Sequence, residues 1–404
     1  MPMRQNASLI ALAGVVLIGM TGFGVFLPIF PFLALHLGAS ATVTTIAMGV
    51  YSLGQFVASP FWGRLSDRVG RKPILIVGLV GNAISYLILS RAESIEMLGA
   101  ARLFGGLMAG NVGAAFAAAA DLADDQTRAR NMGILGAAVG LAFIAGPALG
   151  ALLIGHEPDA DDFGRVCLIS AGLAALAALA ALLLFRETLP KESRRTSQQP
   201  RVRRFALLIS RPLLARLVTV TLLMITAQAL MEATFGLWAD ATLGWGAREV
   251  GISLAALGFG SVLLQGGGAG RASKMLGEHT MLLIGLVLTA AGFGGFAVTE
   301  TVGALVVSLI ALVVGLGLST PGMNALIAAQ AAPMERGAVM GLSQSASALG
   351  RVLGPLGAGA IFDYFGHAAP FTAAALLVLL ALFVAIGGGA PAAGVAGAQP
   401  PSRG

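Results

Sequence analysis

The chain has 404 residues, of which 57% are hydrophobic and 11% charged, with 56 glycines and a mean hydropathy of +0.87. This composition excludes an ordinary water-soluble domain and predicts a membrane protein. The single cysteine, Cys167, excludes an internal disulfide and a cysteine-based metal cluster. The net charge of +6 is explained by membrane orientation, so we predict no nucleic-acid partner.

Apolar runs separated by charged or Gly/Pro-rich breaks predict twelve membrane spans. Arg4 and Arg64 enclose a stretch without any Asp, Glu, Lys or Arg, which is long enough for two spans. Each span is expected to be a helix, because backbone polar groups in hydrocarbon must be hydrogen-bonded within their own segment. In chain order the predicted spans are 8–36, 41–63, 73–91, 97–120, 131–155, 166–185, 212–239, 249–269, 280–298, 302–331, 337–362 and 367–387.

The distribution of basic residues predicts the orientation of these spans. Of the 25 Lys and Arg residues, 19 fall on the side of the N-terminus and 3 on the opposite side. The positive-inside rule therefore predicts that both termini are cytoplasmic. The acidic stretch 156–165 then lies outside.

Landmarks in the first six predicted spans recur in the last six, which predicts an internal repeat. The expected domains are an N-terminal six-helix bundle over 1–185, a cytoplasmic linker over 186–211, a C-terminal six-helix bundle over 212–387 and a disordered cytoplasmic tail over 388–404. The pairs at an offset of 207 are Gly63 and Gly270, Arg64 and Arg271, and Gly70 and Gly277; those at 208 are Arg128 and Arg336, Met132 and Met340, Gly133 and Gly341, Gly146 and Gly354, and Pro147 and Pro355.

Four sequence stretches carry a family resemblance. They are "GFGVFLPIFP" (22–31), "GRLSDRVGRKP" (63–73), "RLFGGLMAGNVGAAFAAAAD" (102–121) and "GAAVGLAFIAGPALGALL" (136–153). Together they resemble the motifs of the 12-span drug:proton antiporters of the major facilitator superfamily, in particular the bacterial tetracycline and multidrug exporters. The resemblance implies an all-α membrane protein of the major facilitator fold, with 12 transmembrane helices in two pseudo-symmetric six-helix bundles.

The charged loop between spans 2 and 3 is, by this resemblance, a conformational latch. The implied latch residues are Gly63, Asp67, Arg71 and Asp121. Asp67 would meet the start of span 11, near residues 334–337, and Arg71 would pair with Asp121. The remaining basic residues of the loop have a simpler interpretation, in which they only set topology; they are Arg64, Arg68 and Lys72.

The stretch in span 5 is similar to the helix-5 motif of antiporters. Glycines four residues apart lie on one helix face and allow a neighbouring helix to approach closely, and a proline can bend the helix. Such packing would suit a seal against proton leak, although helix packing alone would also explain it. The residues of the motif are Gly136, Gly140, Gly146, Pro147 and Gly150.

Ionisable residues inside spans are costly and therefore suggest function. The resemblance ties Arg102 to proton coupling; alternatively, its side chain extends to the outer interface. Glu232 shares a helix face with Gln228, and its carboxyl could exchange a proton for a cationic substrate. It could instead only pair with an arginine such as Arg351, which we include in the proton-coupling set. Asp240 and Asp363 lie near outer helix ends and are expected to be solvated.

A substrate cavity is expected between the two bundles, lined by aromatic, Met and amide side chains that suit bulky apolar cations. Each candidate could equally be an ordinary packing residue. Where related tetracycline exporters carry an Asp in helix 1, this chain offers only Thr21, which argues against tetracycline as substrate. A second departure from the family pattern is in the repeat of the loop between spans 2 and 3, where Lys274 occupies the position equivalent to Asp67. The cavity candidates are Phe23, Gln55, Asn111, Gln228, Met231, Phe235, Trp238, Asn324 and Gln344.

These features favour a proton-coupled antiporter that exports drug-like or amphipathic small molecules, with tetracycline-like compounds among the candidates, across the bacterial inner membrane by alternating access. The alternatives are an exporter of an endogenous metabolite or lipid, and a membrane sensor or scaffold that does not transport. An enzyme is not expected, because no metal-ligand spacing, nucleophile motif or nucleotide loop occurs. The expected partners are a small-molecule substrate and membrane lipids, the proton is the coupling ion, no other cofactor or metal is expected, and a monomer suffices.

Overall fold

The computed structural model describes residues 2–123, 127–155, 158–189, 208, 210–264, 268–331 and 335–387. In these ranges the regular elements are helices, and they follow the predicted spans. Within the linker, the described residues are 186–189, 208, 210 and 211; the tail from residue 388 lies outside the described ranges.

The helices of the first half correspond to spans 1 to 6. They are Pro2–Phe26 with Phe30–His36, Ala41–Val69, Arg71–Leu89, Ile95–Met108 with Asn111–Asp121, Arg128–Leu153 and Ala160–Leu184. Those of the second half correspond to spans 7 to 12. They are Pro212–Leu243, Ala247–Leu263 followed by the short helix Ala269–Leu276, Glu278–Val298, Val302–Ala329, Arg336–Phe365 and Ala369–Ile386.

Ten of the spans are long and apolar enough to cross a bilayer by length and composition. The other two helices at predicted span positions are span 8, with 17 residues before its short continuation, and the 30-residue span 11, which contains Arg351 and Asp363. Short connections alternate between the two ends of the bundle. We call the end at which span 1 begins and span 12 ends the terminal side, and the opposite end the far side.

Spans 1 and 4 are each interrupted, whereas the sequence predicts continuous helices over 8–36 and 97–120. In span 1 the break at 27–29 contains Pro28, and the next helix begins with Pro31 in its first turn. Proline lacks the N–H that would continue the helical ladder, which explains the break. In span 4 the break is at 109–110, where the indole N–H of Trp62 donates to the Leu107 carbonyl at 2.6 Å.

The start of span 6 corrects another prediction. Residues 160–165 are expected from the sequence to lie in an external loop, but the helix begins at Ala160. Asp159 and Asp162 form a capping box, in which each carboxylate accepts the backbone N–H of the other residue. Carboxylates are favoured at a helix N-terminus because they satisfy donors that have no partner within the helix.

Close helix contacts recur at equivalent places in the two halves. A Cβ added at Gly78 in span 3 would lie 2.9 Å from the carbonyl oxygen of Met108 in span 4. A Cβ at Gly285 in span 9 would lie 2.8 Å from the carbonyl oxygen of Gly315 in span 10. Both members of the second pair lie 207 positions after those of the first, so the two bundles use the same packing device.

The halves meet along two antiparallel helix pairs, spans 2 and 11 and spans 5 and 8. Near the far side, Gly359 packs on the start of span 2 and Gly251 packs on Pro147 and Ala151 of span 5. Gly258 continues the second contact inward to Phe143. Span 7 also touches the short second helix of span 1. This arrangement leaves spans 1 and 7 facing each other at the centre of the molecule.

We expect Gly285→Ala to lower the free energy of unfolding by about 1–3 kcal/mol, because the methyl group has no room against span 10. Gly294→Ala in the same helix is the matched control, since a Cβ there meets nothing within 4 Å. Thermal unfolding of both purified variants in detergent measures the difference. Equal melting temperatures would contradict the close contact between spans 9 and 10.

Candidate functional site

Glu232 lies well inside span 7, about 16 Å along the helix from Leu243 at 1.5 Å per residue. Its Oε1 accepts a hydrogen bond of 2.8 Å from Nε2 of Gln228, one turn earlier, and both side chains are half-buried. One turn later on the same face, Gly236 packs against Pro31 and Phe32 of the first half. The face that carries Glu232 therefore points across the molecule towards the break in span 1.

Arg102 is 5% exposed, so its side chain does not reach out to an interface, as one of the sequence interpretations allowed. The guanidinium carbon lies 4.3 Å from the ring centroid of Tyr51, 5.1 Å from that of Phe30 and 5.5 Å from that of Phe26. The Nε atom of Arg102 is buried and has no hydrogen-bond partner within the described ranges. No acid among the described residues forms an ion pair with Arg102. Cation–π attraction to three rings is what holds the charge.

Among the described ion pairs, none joins any two of the three predicted proton-coupling residues. Arg102 contacts Phe26 and Phe30 on one side of span 1, whereas Gly236 of the Glu232 face meets Pro31. Arg351 is exposed on span 11, and among the described ion pairs there is none between Arg351 and Glu232. The alternative in which Glu232 only neutralises Arg351 is therefore not supported by an ion pair between them. The described hydrogen-bond partner of Glu232 is Gln228.

The two acids expected to be solvated differ from each other. Asp240 is exposed near the end of span 7. Asp363 is exposed as expected, and it also accepts two hydrogen bonds from Thr42 at the start of span 2. No pattern in the sequence indicates this contact, because the partners are 321 positions apart.

Three of the predicted latch residues, Asp67, Arg71 and Asp121, form a cluster at the terminal side, whereas Gly63 lies exposed within the helix of span 2 and a Cβ there would meet no atom within 4 Å. Arg71 donates from Nη1 to Asp67 at 2.6 Å and to Ser66 at 3.1 Å, and from Nε to Asp121 at 2.9 Å. Gly70 has φ of +114°, a conformation that side chains rarely adopt, and it turns the chain between spans 2 and 3. Of the region expected to receive Asp67, Met334 lies outside the described ranges, so that contact stays a prediction.

Sequence reasoning missed Glu187, at the start of the linker. Its carboxylate accepts the backbone N–H groups of Arg71 at 2.9 Å and Lys72 at 3.2 Å, and it lies where a Cβ of Gly70 would be. These are free donors at the start of span 3, where an anion is favoured. Lys72 also donates from Nζ to the Leu182 carbonyl at 2.7 Å. Thus span 6 and the linker are tied to the predicted latch.

The second copy of the loop keeps the turn but not the acid. Gly277 has a φ of +75°, and its counterpart Gly70 also has a positive φ. Each of the two glycines directly precedes the helix of the next span. Lys274 occupies the place of Asp67. At the terminal side of the second half, Arg211 instead bonds Glu335 at 2.6 Å and the Gln330 carbonyl at 2.8 Å.

The glycines of the span 5 motif pack against different neighbouring helices. Gly146 and Gly150 pack closely against the backbone of span 1, near Thr21 and Val25. Gly140 contacts Val262 of span 8 in the other half.

Two further motif positions complete this division. Pro147 lies against both Gly24 of span 1 and Gly251 of span 8. Gly136 is exposed, and a Cβ added there would meet no atom within 4 Å. The prediction of one close-packing face is therefore confirmed for Gly146 and Gly150 but is wrong for Gly136.

The cavity candidates divide into two groups by exposure. Those that remain at least partly accessible are Phe23, Gln55, Gln228, Asn324 and Gln344. The others are buried in helix packing and do not line an open cleft here: Asn111 against Gly78, Met231, and Phe235 and Trp238 in an aromatic cluster with Phe296.

Aromatic side chains cluster where the accessible Phe23 lies. Its ring centroid is 5.7 Å from that of Tyr51 and 6.3 Å from that of Phe143, and all three residues are half-buried. Tyr51 thus connects this aromatic wall to Arg102. Thr21, where the chain departs from the family resemblance, donates its hydroxyl to the Leu17 carbonyl at 2.8 Å.

Comparison with known proteins gives consistent matches along the chain. A family model described as Major Facilitator Superfamily matches residues 12–268 and 217–400. The chain is 28% identical to the class C tetracycline resistance protein of Escherichia coli over 392 residues, covering 95% of this chain and 96% of the relative. It is 25% identical to Multidrug resistance protein 1 of Bacillus subtilis strain 168, covering 96% and 98%.

A solved structure confirms the fold. The crystal structure of the human organic anion transporter MFSD10 (TETRAN) aligns with a TM-score of 0.71 at 24% identity, covering 94% of this chain and 99% of that one. The fold is therefore an all-α membrane architecture of two pseudo-symmetric helical bundles.

We expect Tyr51→Leu to lower the free energy of unfolding by about 1 kcal/mol more than Tyr51→Phe, because only the phenylalanine keeps a ring beside Arg102. The two substitutions are compared by thermal unfolding, first in the wild-type background and then with Arg102→Gln. The difference should become smaller in the second background, where only the ring contact with Phe23 distinguishes the two substitutions. If it persists unchanged, the ring acts through packing alone and the cation–π account is wrong.

Proposed function

Because the chain belongs to the Major Facilitator Superfamily, we propose that it is a proton-coupled antiporter that exports drug-like or amphipathic small molecules. The proposed setting is the bacterial inner membrane, with both termini cytoplasmic and the monomer as the working unit. On this topology the terminal side faces the cytoplasm. Transport proceeds by alternating access, in which the two halves open the central space to one side at a time.

The relatives support export of drug-like compounds. A tetracycline resistance protein and a multidrug resistance protein both match almost the whole chain. Amphipathic substrates also suit the half-buried aromatic wall of Phe23, Tyr51 and Phe143, which offers apolar ring faces. Gln55, which is partly accessible, lies one helical turn after Tyr51. Tetracycline-like compounds are included as substrates, although Thr21 provides no acid in span 1.

The position of Glu232 is the observation that carries the proposal. The other described acids within the span helices lie within about one turn of a helix end. Glu232 instead lies deep in span 7, on the helix face that points towards the break in span 1. Its described hydrogen bond comes from an uncharged amide. A carboxylate so placed can take up a proton or attract a cationic group, and the two events exclude each other.

That exclusion is the basis of exchange. Substrate arriving from the cytoplasm displaces the proton from Glu232, and after the halves reorient, a proton from outside displaces the substrate. Exchange of one proton for one monovalent cation moves no net charge, so only the pH gradient drives it. For a substrate without net charge, the inward proton gains about 2.3 kcal/mol per 100 mV and can support a substrate gradient of roughly fiftyfold. A pH gradient adds to this.

The contacts between the halves suit one of the two required states. The close approaches described above lie at the far side and reach the middle of the molecule, as at Gly258 and Phe143. At the terminal side, Asp67 and Asp121 are bonded by Arg71 within the first half. This geometry is what a state open to the terminal side requires.

We expect that adding substrate to energised inverted vesicles partly collapses the pH gradient, and that Glu232→Gln abolishes this response while expression and membrane insertion are kept. The glutamine can still bond Gln228 but cannot carry a proton. A panel of tetracycline and lipophilic cations, with a fluorescent pH indicator, measures the response.

Asp240→Asn is the matched control, because Asp240 is an exposed acid on the same helix. It should leave the response unchanged. Normal exchange by Glu232→Gln would mean that another group carries the proton. If wild-type protein responded to none of the compounds and gave no resistance in a pump-deficient host, drug export itself would be wrong.

A further inference from the structure

Asp363, in the last turn of span 11, bonds the first turn of span 2 in the other half. Its Oδ2 accepts the backbone N–H of Thr42 at 2.9 Å and the Thr42 hydroxyl at 2.5 Å. Span 2 begins after Ser40, whose side chain caps it by accepting from Val43. The aspartate therefore adds a second acceptor to a helix start that has free N–H groups and favours an anion.

The backbone around this bond is packed tightly across the two halves. A Cβ on Gly359, one turn before Asp363, would collide with the Thr45 hydroxyl, the Ala41 carbonyl and the Thr42 Cα. Deeper along the same two helices, Gly49 packs on Pro355 and Leu356. The hydrogen bonds to Thr42 thus lie at the far end of a continuous contact between spans 2 and 11.

The same two helices carry an aspartate at their opposite ends. Asp67 lies in the last turn of span 2, at the terminal side, as Asp363 lies in the last turn of span 11, at the far side. Because the helices are antiparallel, each aspartate is at the end where its partner helix begins. In this structure Asp363 is bonded to the partner helix, while Asp67 is bonded to Arg71 of its own half.

We propose that Asp363 and Thr42 form a far-side latch, which holds the central space closed on that side and opens once in each transport cycle. Together with the predicted latch at Asp67, it makes the pair of spans 2 and 11 a two-state element with one aspartate for each closed end. The proposal rests on the alternating access proposed above, but not on the identity of the substrate or of the proton carrier.

The exposure of the bond fits a latch that must release. Asp363 and Thr42 are accessible to solvent, so water replaces the lost hydrogen bonds when the far side opens. Such a bond shifts the equilibrium between two states by a modest factor and does not lock one of them.

The test measures opening directly, by the rates at which single cysteines react with a maleimide in detergent-solubilised full-length protein. The background is Cys167→Ser, since the natural cysteine is buried. Thr45→Cys reports on the far side, because Thr45 is buried beside Gly359. Ser59→Cys lies on the same stripe of span 2 towards the terminal side, where the residue is exposed.

We expect Asp363→Ala to raise the labelling rate of the Thr45 reporter by about fivefold without raising that of the Ser59 reporter. Thr42→Val, which removes the hydroxyl but keeps the N–H, should raise the Thr45 rate by about twofold. The double variant should behave like Asp363→Ala alone, because the hydroxyl then has no acceptor to lose.

Asp240→Ala is the matched control, an exposed far-side acid for which the structure describes no bond to the other half. It should change neither rate. The proposal is overturned if Asp363→Ala leaves the Thr45 rate within the range of this control, or if both reporters accelerate together, which would indicate general loosening. A faster Thr45 reaction in Asp363→Ala, in a protein whose wild type exports none of the drugs tested, would count against the proposed function and not against the latch.

Discussion

The bilayer removes water as a partner for the backbone, and this constraint determines how the protein is held together. Each span satisfies its backbone internally, so neighbouring helices are joined by close approach at small residues, as at Gly285 and Gly354. Many of the polar ties between helices lie instead at helix ends and breaks, where unpaired groups remain. Arg71, Glu187 and Asp363 each bond such a place. Of these three bonds, that of Asp363 joins the two halves.

Hydropathy was sufficient to predict where the spans lie, because a long apolar run has one stable form in a bilayer. It could not predict the breaks in spans 1 and 4, whose residues are as apolar as their surroundings. The first break could have been predicted only from the two prolines, Pro28 and Pro31, and not from hydropathy. The second depends on Trp62, which bonds the Leu107 carbonyl from another span.

The candidate site was predictable residue by residue, but not as an arrangement. Helical periodicity correctly placed Gln228 beside Glu232, because the two are one turn apart. Contacts between distant spans have no such rule. The aromatic surroundings of Arg102 are contributed by spans 1 and 2, and Asp363 meets a residue 321 positions away. The burial of Trp238 likewise depends on spans 9 and 12.

The distribution of interior charge links the two halves in the proposed exchange. Arg102 keeps its positive charge in the first half, and no acid among the described residues neutralises it directly. Glu232 in the second half is negative only when deprotonated. Ionised, it balances Arg102 across the interior, and a cationic group is then attracted to span 7. Protonated, it leaves the interior with one net positive charge, which repels a cation in a region of low dielectric constant. In the proposed exchange the fixed charge of Arg102 acts on the proton and on a cationic substrate alike, so their mutual exclusion arises at the carboxylate of Glu232 itself. The aromatic rings hold the arginine without a second acid, which would compete with Glu232 for that role.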